Sequence, residues 1–105
     1  MKKLLMIAAT AGLALACSAN AADAEKAKAL AQAKNCLACH AVDKKLVGPA
    51  YTEISKKYKG NKDAEAGLIK KVINGGGGVW GTIPMPPNPV KEGEAKLLVD
   101  WILSL

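Results

Sequence analysis

Cys36-Leu37-Ala38-Cys39-His40 sets two thiols three positions apart and an imidazole directly after the second. Residues at i and i+3 share one face of a helical turn. Both sulfurs can therefore reach a single edge of a flat ligand while His40 is held beneath it. C-x-x-C-H is the signature of covalent c-type haem attachment, in which the thiols add to two vinyl groups on one porphyrin edge. His40 then offers Nε2 to the iron, leaving Nδ1–H for a backbone carbonyl that fixes the tautomer and raises ligand basicity. Three other chemistries use the same residue types. A zinc site needs about four ligands, and two Cys and one His within five consecutive residues suit a tetrahedron poorly. A thioredoxin-like dithiol needs a βαβ surround. A structural disulfide between Cys36 and Cys39 would suit an exported chain but would leave the small core described below unexplained.

The second donor is Met85. It lies in Val79-Trp80-Gly81-Thr82-Ile83-Pro84-Met85-Pro86-Pro87-Asn88-Pro89, where four prolines in six residues exclude a helix interior and a central strand. Such a stiff, extended loop can hold a thioether at a fixed distance, although a Met is more often core filler than a ligand. Met/His ligation leaves no open position for O₂ or peroxide and raises the reduction potential. The chemistry that remains is reversible one-electron transfer. A ligand-binding haem sensor or a peroxidase results instead if Met85 is labile, and a haem-bearing subunit docked in a larger redox enzyme is a further alternative.

The N-terminus supports this inventory. Residues 1–21 carry Lys2-Lys3, an apolar run from Leu4 to Ala16, and small residues ending Ala19-Asn20-Ala21. That is the form of a cleaved secretory signal peptide, with an apolar run too short to span a bilayer. An uncleaved anchor, or lipoprotein processing near Cys17, are the alternatives. Cleavage after Ala21 removes Cys17, Met1 and Met6, so residues 22–105 keep only Cys36, Cys39, His40 and Met85 as Cys, His or Met. Export to the periplasm also fits haem attachment, which takes place outside the cytoplasm.

The remaining chain forms one small domain. A domain of this size buries only about 60% of its unfolded surface. Trp80, Trp101, Tyr51 and Tyr58 are the only aromatic residues, and Phe is absent. A large apolar group not encoded by the chain would complete such a core. The elements that must position the donors are helical. Asp23 to Asn35 is rich in good helix formers, with Ala24, Ala27, Leu30 and Ala31 at helical spacing. A loop ending in Gly48-Pro49 follows. A short helix is predicted over Tyr51–Tyr58 with Gly60 as its stop. A third runs from an N-cap at Asp63 to about Asn74, with Leu68, Ile69 and Val72 inward. Gly75 to Gly78 cannot continue it; this run is either a close backbone approach to the ligand or a connector. Leu97, Leu98, Trp101, Ile102 and Leu105 give the C-terminal segment a clear amphipathic pattern. Trp101 is assigned to the core against the N-terminal helix.

Asn35 to Leu105 resembles the short bacterial monohaem class I cytochromes c, the cytochrome c-551/c-552 group. The motifs that carry the resemblance are NCLACHAVD, LVGPAY, NGGGGVWGTIPMPPN and LLVDWILSL. It implies an all-α class I cytochrome c fold, about four short helices wrapped around one haem c attached through Cys36 and Cys39, and an electron carrier that is not an enzyme. It further implies that the Pro49 carbonyl accepts the His40 Nδ1–H and that Met85 binds iron. Asn88 is implied to hydrogen-bond near the Met sulfur, and Trp80 to donate its indole N–H to a haem propionate. Some members carry Arg at the position of Lys71, where a lysine supplies charge to a propionate but no bidentate fork. Bland readings stand beside these: Gly48-Pro49 as an ordinary turn, Trp80 as packing, and Asn88 as the N-cap before Pro89.

Fifteen lysines, no arginine and nine acidic residues give a formal charge of +6. Lys44-Lys45, Lys56-Lys57 with Lys59, and Lys70-Lys71 are either a solvated face or a field that steers acidic redox partners to the protein. The implied partners are a quinol-oxidising complex or another cytochrome as donor, and an oxidase, nitrite reductase or peroxidase as acceptor. Without arginine or interleaved basic and aromatic residues, nucleic acid is not a partner. The expectation is a monomer with no stable membrane insertion.

Overall fold

The computed structural model describes residues 13–105, with side chains from Ala22 onward, so most of the expected signal peptide lies outside the described residues. Among the described residues four helices follow one another: α1 (Leu13–Ala33), α2 (Tyr51–Tyr58), α3 (Lys62–Asn74) and α4 (Glu92–Leu103). A single 3-10 turn, Cys36–Ala38, lies between α1 and α2. Among the described residues there is no sheet, only isolated antiparallel bridges at His40–Lys45 and Gly76–Met85. The all-α reading therefore holds.

Helix α1 begins upstream of the expected Asp23, because no Gly or Pro interrupts the alanine-rich stretch after Gly12. It also ends before Asn35, which takes a left-handed conformation (φ 62°). Asn tolerates this conformation better than most residues, and the reversal turns the chain directly into the 3-10 segment. Helix α2 spans the predicted residues, and Gly60 (φ 84°) follows its last turn as expected. The cap of α3 is not Asp63 but Asn61, whose side-chain oxygen accepts the Asp63 backbone N–H at 3.0 Å. Asp63 instead sits in the first turn, where a carboxylate meets the positive end of the helix dipole. Helix α4 starts at Glu92 after Lys91, whose backbone N–H is accepted by Glu94 at 2.9 Å. Asn88 is thus not the cap of that helix.

Helix α4 packs against the other three. Ala27 and Ala31 of α1 are fully buried and, lacking bulk, let that helix lie close to Leu98, Trp101 and Ile102. Tyr51, the first residue of α2, meets Trp101 edge to face at 5.5 Å. Aromatic pairs favour this geometry. Ser55 is buried and donates to the Leu103 carbonyl at 3.2 Å, fastening α2 to the last turn of α4. Lys96 reaches across from α4 to Glu65 on α3 (3.2 Å) as well as to Asp100 (2.7 Å). These exposed pairs add little stability.

Helix α3 is different. None of its residues is fully buried: Val72 packs partly against the core cluster, while Leu68 and Val72 both line a cleft. The fully buried core lies where α4 meets α1 and α2, and the half-buried apolar face of α3 borders the cleft. Trp101→Ala is expected to cost about 3 to 5 kcal/mol, the range for deleting a large buried aromatic. Denaturant unfolding of the haem-bearing protein measures it; a loss under 1 kcal/mol would show that Trp101 does not bear the packing.

Candidate functional site

The cleft has a volume of about 180 Å³. By that measure a single water needs only about 10 to 15 Å³. Its walls are mostly apolar, with Ile54, Leu68, Val72, Leu98 and Ile102 contributed by α2, α3 and α4. The eight residues singled out from the sequence, Cys36, Cys39, His40, Pro49, Lys71, Trp80, Met85 and Asn88, all line it.

The 3-10 turn delivers the thiols. Cys39 N–H donates to the Cys36 carbonyl at 3.2 Å and His40 N–H to the same oxygen at 3.0 Å, so the pentapeptide is wound as a tight turn. Both cysteines are half-buried and free. Burial pushes the Cys36 thiol above its ordinary pKa, against a lowering hydrogen bond with Tyr51 and another from its own backbone. Burial likewise raises the Tyr51 phenol, followed by the charge of Cys36 and the hydrogen bond between them. Both groups are held in their neutral forms.

His40 is buried at 8% exposure, with Nδ1 2.8 Å from the Pro49 carbonyl oxygen. That oxygen has no proton, so the bond requires Nδ1 to be the donor, which is the tautomer in which a neutral imidazole carries its lone pair on Nε2. The loop that carries Pro49 is itself tied back, with Gly48 N–H donating to the Cys39 carbonyl at 2.7 Å and Tyr51 N–H to Ala41 at 2.9 Å. Gly48-Pro49 is therefore part of the His40 environment and not merely a turn.

Met85 is held by a different device. Gly76 N–H donates to the Met85 carbonyl at 2.9 Å and Met85 N–H to the Gly76 carbonyl at 2.8 Å, a closed antiparallel pair. The glycine run is thus a close approach to the methionine loop. Gly75 has φ 76°, and a Cβ there would lie 2.5 Å from the Met85 carbonyl oxygen. Asn88 Nδ2 donates to the Val72 carbonyl at 2.8 Å and to Pro86 at 3.3 Å, binding the loop to the end of α3.

Trp80 stands 40% exposed at the cleft, which separates it from the core. Lys71 folds across Gly76, its Nζ only 2.8 Å from where a Cβ on that glycine would be. The packing of His40 on Tyr51 was not anticipated; the available signal was an aromatic residue placed immediately after Gly-Pro-Ala in a chain with few aromatics. Among the described residues no three His, Cys, Asp or Glu side chains gather to hold a bare metal ion. Paired thiols, one imidazole and one thioether around an apolar cleft fit a flat macrocycle whose iron needs only axial donors.

Such a scaffold and donor set define a c-type haem protein. A family model for cytochrome c matches residues 24–105, and the chain belongs to that family. It is 49% identical over 105 residues to cytochrome c-552 of Hydrogenobacter thermophilus, covering 100% of this chain and 99% of that one. It is 50% identical over 86 residues to cytochrome c-551 of Pseudomonas aeruginosa, covering 82% and 83% respectively. The crystal structure of wild-type Nitrosomonas europaea cytochrome c552 matches with a TM-score of 0.70 at 50% identity, over 73% of this chain and 96% of that one. The fold is the class I cytochrome c fold, and the family carries covalently attached haem c. The protein is an electron carrier and not an enzyme.

Gly75→Ala should destabilise the protein by about 1 to 3 kcal/mol, the cost of a side chain in a left-handed conformation, and should lower amide-exchange protection at Gly76 and Met85. Gly67→Ala, an exposed α3 position where an added Cβ meets nothing within 4 Å, should stabilise by up to about 1 kcal/mol. Equal responses from the two variants would remove the special role given to Gly75.

Proposed function

We propose that the protein is a periplasmic one-electron shuttle whose haem is attached through Cys36 and Cys39 and ligated by His40 and Met85. The observation that carries this reading is that both thiols, the imidazole and the thioether line one apolar cleft, with each donor's backbone fixed by hydrogen bonds. When bound, haem supplies reversible one-electron iron chemistry. The chain's own contribution is to keep water out, fix both donors and leave one edge of the cleft accessible. His40 is oriented through Pro49. Met85 is held by Gly76, and Asn88 fastens its loop to α3. Trp80 and Lys71, at the cleft wall, are placed to serve the propionates, Lys71 through charge.

The accessible edge carries Val47, Val79, Trp80 and Ile83, the last 67% exposed. Lys44 and Lys45 precede Val47 in the loop that holds Pro49, and Lys70 and Lys71 lie on the helix that walls the cleft. An apolar contact with basic neighbours suits brief encounters with acidic redox proteins, attracted at long range and released quickly. We assign these partners as a quinol-oxidising complex or cytochrome donor and an oxidase, nitrite reductase or peroxidase acceptor, engaged by a monomer. Residues 1–21 serve as the export signal, leaving a domain of residues 22–105. No helix among the described residues is long and apolar enough to cross a membrane.

Absorption spectra of the protein exported with its leader test the ligation. The expected result is a low-spin reduced spectrum with sharp α and β bands, a methionine-to-ferric-iron charge-transfer band when oxidised, and no response to CO. A reduced form that binds CO rapidly would move the reading to a sensor or peroxidase. Met85→Ala is expected to keep covalent haem, lose the charge-transfer band, lower the reduction potential and admit CO. Retention of the wild-type potential would show that Met85 is not the ligand.

A further inference from the structure

The hydrogen bond from His40 Nδ1 to Pro49 fixes where one ring atom points, but by itself it does not fix the plane of the ring. Such bonds weaken steeply only when the donor angle falls below about 120°, so the imidazole could turn substantially about its Cβ–Cγ bond and still keep Pro49 as its acceptor. Two contacts remove that freedom. The Tyr51 ring stacks on the imidazole with centroids 5.0 Å apart and planes inclined by 21°. Tyr51 is itself buried and held edge to face by Trp101, so this wall does not yield. The second contact is Gly48. A Cβ at that position would lie 2.7 Å from His40 Cε1, 3.1 Å from Nδ1 and 3.2 Å from Nε2. Near-equal distances to three consecutive ring atoms place it over the face of the ring, not at its edge. All three are ring atoms of a buried side chain with little room to retreat.

We propose that Gly48 and Tyr51 are positioning residues that set the rotation of the His40 ring, so that the imidazole plane offered to the haem iron is chosen by the protein. The inference rests on His40 being an axial ligand. Gly48 is needed here for the space over the imidazole and not for its backbone, since its φ lies outside the left-handed range. Any residue with a Cβ must turn the ring or open the segment between His40 and Pro49. Tyr51 acts through its flat face, so phenylalanine should replace it and leucine should not.

The orientation of an axial imidazole relative to the iron d orbitals, together with that of the thioether ligand, governs the g-values of the low-spin ferric form and the spread of its haem methyl proton shifts; Met85 and its loop are left unaltered in every variant. The test is to export the wild type, Gly48→Ala, Tyr51→Phe and Tyr51→Leu with their leader and to record ferric electron paramagnetic resonance and proton NMR spectra of each haem-bearing protein. The wild type and Tyr51→Phe should share g-values and methyl-shift order. Gly48→Ala and Tyr51→Leu should each move the largest g-value and change the methyl spread while covalent haem absorption is retained. Wild-type spectra from both Gly48→Ala and Tyr51→Leu would overturn the proposal while leaving His40 ligation intact. If Gly48→Ala yields no haem-bearing protein, the comparison of Tyr51→Leu with Tyr51→Phe decides alone, and identical spectra from those two overturn it. A high-spin wild-type ferric spectrum would remove the ligation reading and the proposal together.

Discussion

A side chain can keep hold of a metal only if its own backbone cannot move away, and neither of the proposed donors, His40 and Met85, sits within an α-helix. His40 follows a one-turn 3-10 segment and Met85 lies in a proline-rich loop. Non-helical segments lack a repeating hydrogen-bond ladder, so each must find its partners singly. The chain answers with non-local backbone pairs: Gly48 to Cys39 and Tyr51 to Ala41 on the histidine side, Gly76 with Met85 on the other. Proline adds to this by fixing φ without needing a donor partner. Glycine adds to it by letting one strand of backbone approach another, or approach a ring, more closely than a Cβ allows.

The helices serve these two loops. Helix α4 gathers α1 and α2 on one side through Ala27, Ala31, Tyr51 and Trp101, and the same helix presents Leu98, Val99 and Ile102 to the cleft. Core and cleft therefore share residues. Tyr51 links them most directly, because it touches Trp101 in the core and His40 at the site. The unburied apolar face of α3 shows why the encoded core alone is incomplete. Leu68 and Val72 are only half-buried and gain further burial when a flat apolar group enters the cleft, so haem binding would contribute to folding as well as to function.

Much of this was legible in the residues. The C-x-x-C-H spacing carries its chemistry in five positions, and the helical pattern gave the bounds of α2 and the inward face of α4. What escaped had a common cause. A helix boundary depends on local competition between residues, which is why Asn61 and not Asp63 caps α3 and why Asn35 ends the first helical run by adopting positive φ. The glycine run could not be assigned because its role is a single bridge to a loop nine residues away, which leaves no periodic trace. The stacking of Tyr51 on His40 is likewise tertiary, and the motif around it reads as a match without revealing what the ring touches. At Asn88 the structure removes only the bland alternative. Asn before Pro is a good local cap signal, but α4 starts after Lys91, and the amide is used instead to bind the loop to Val72 and Pro86.

The pattern of glycines connects stability to electron transfer. A carrier that changes charge by one unit at a buried centre loses speed if its donors shift between oxidation states, so rigidity at the donors matters more than rigidity elsewhere. The chain places glycines with severe steric limits at the two loops: Gly48 against the His40 ring, Gly75 against the Met85 carbonyl. At Gly67 and Gly93, in the helices, an added Cβ meets nothing within 4 Å. The tight positions confine the His40 ring and the Met85 backbone, while the open helical ones cost helix stability without confining anything. That contrast separates these loop glycines from those the helices merely tolerate, and it follows from distances to one side-chain ring and one backbone carbonyl, not from the glycine content of the sequence.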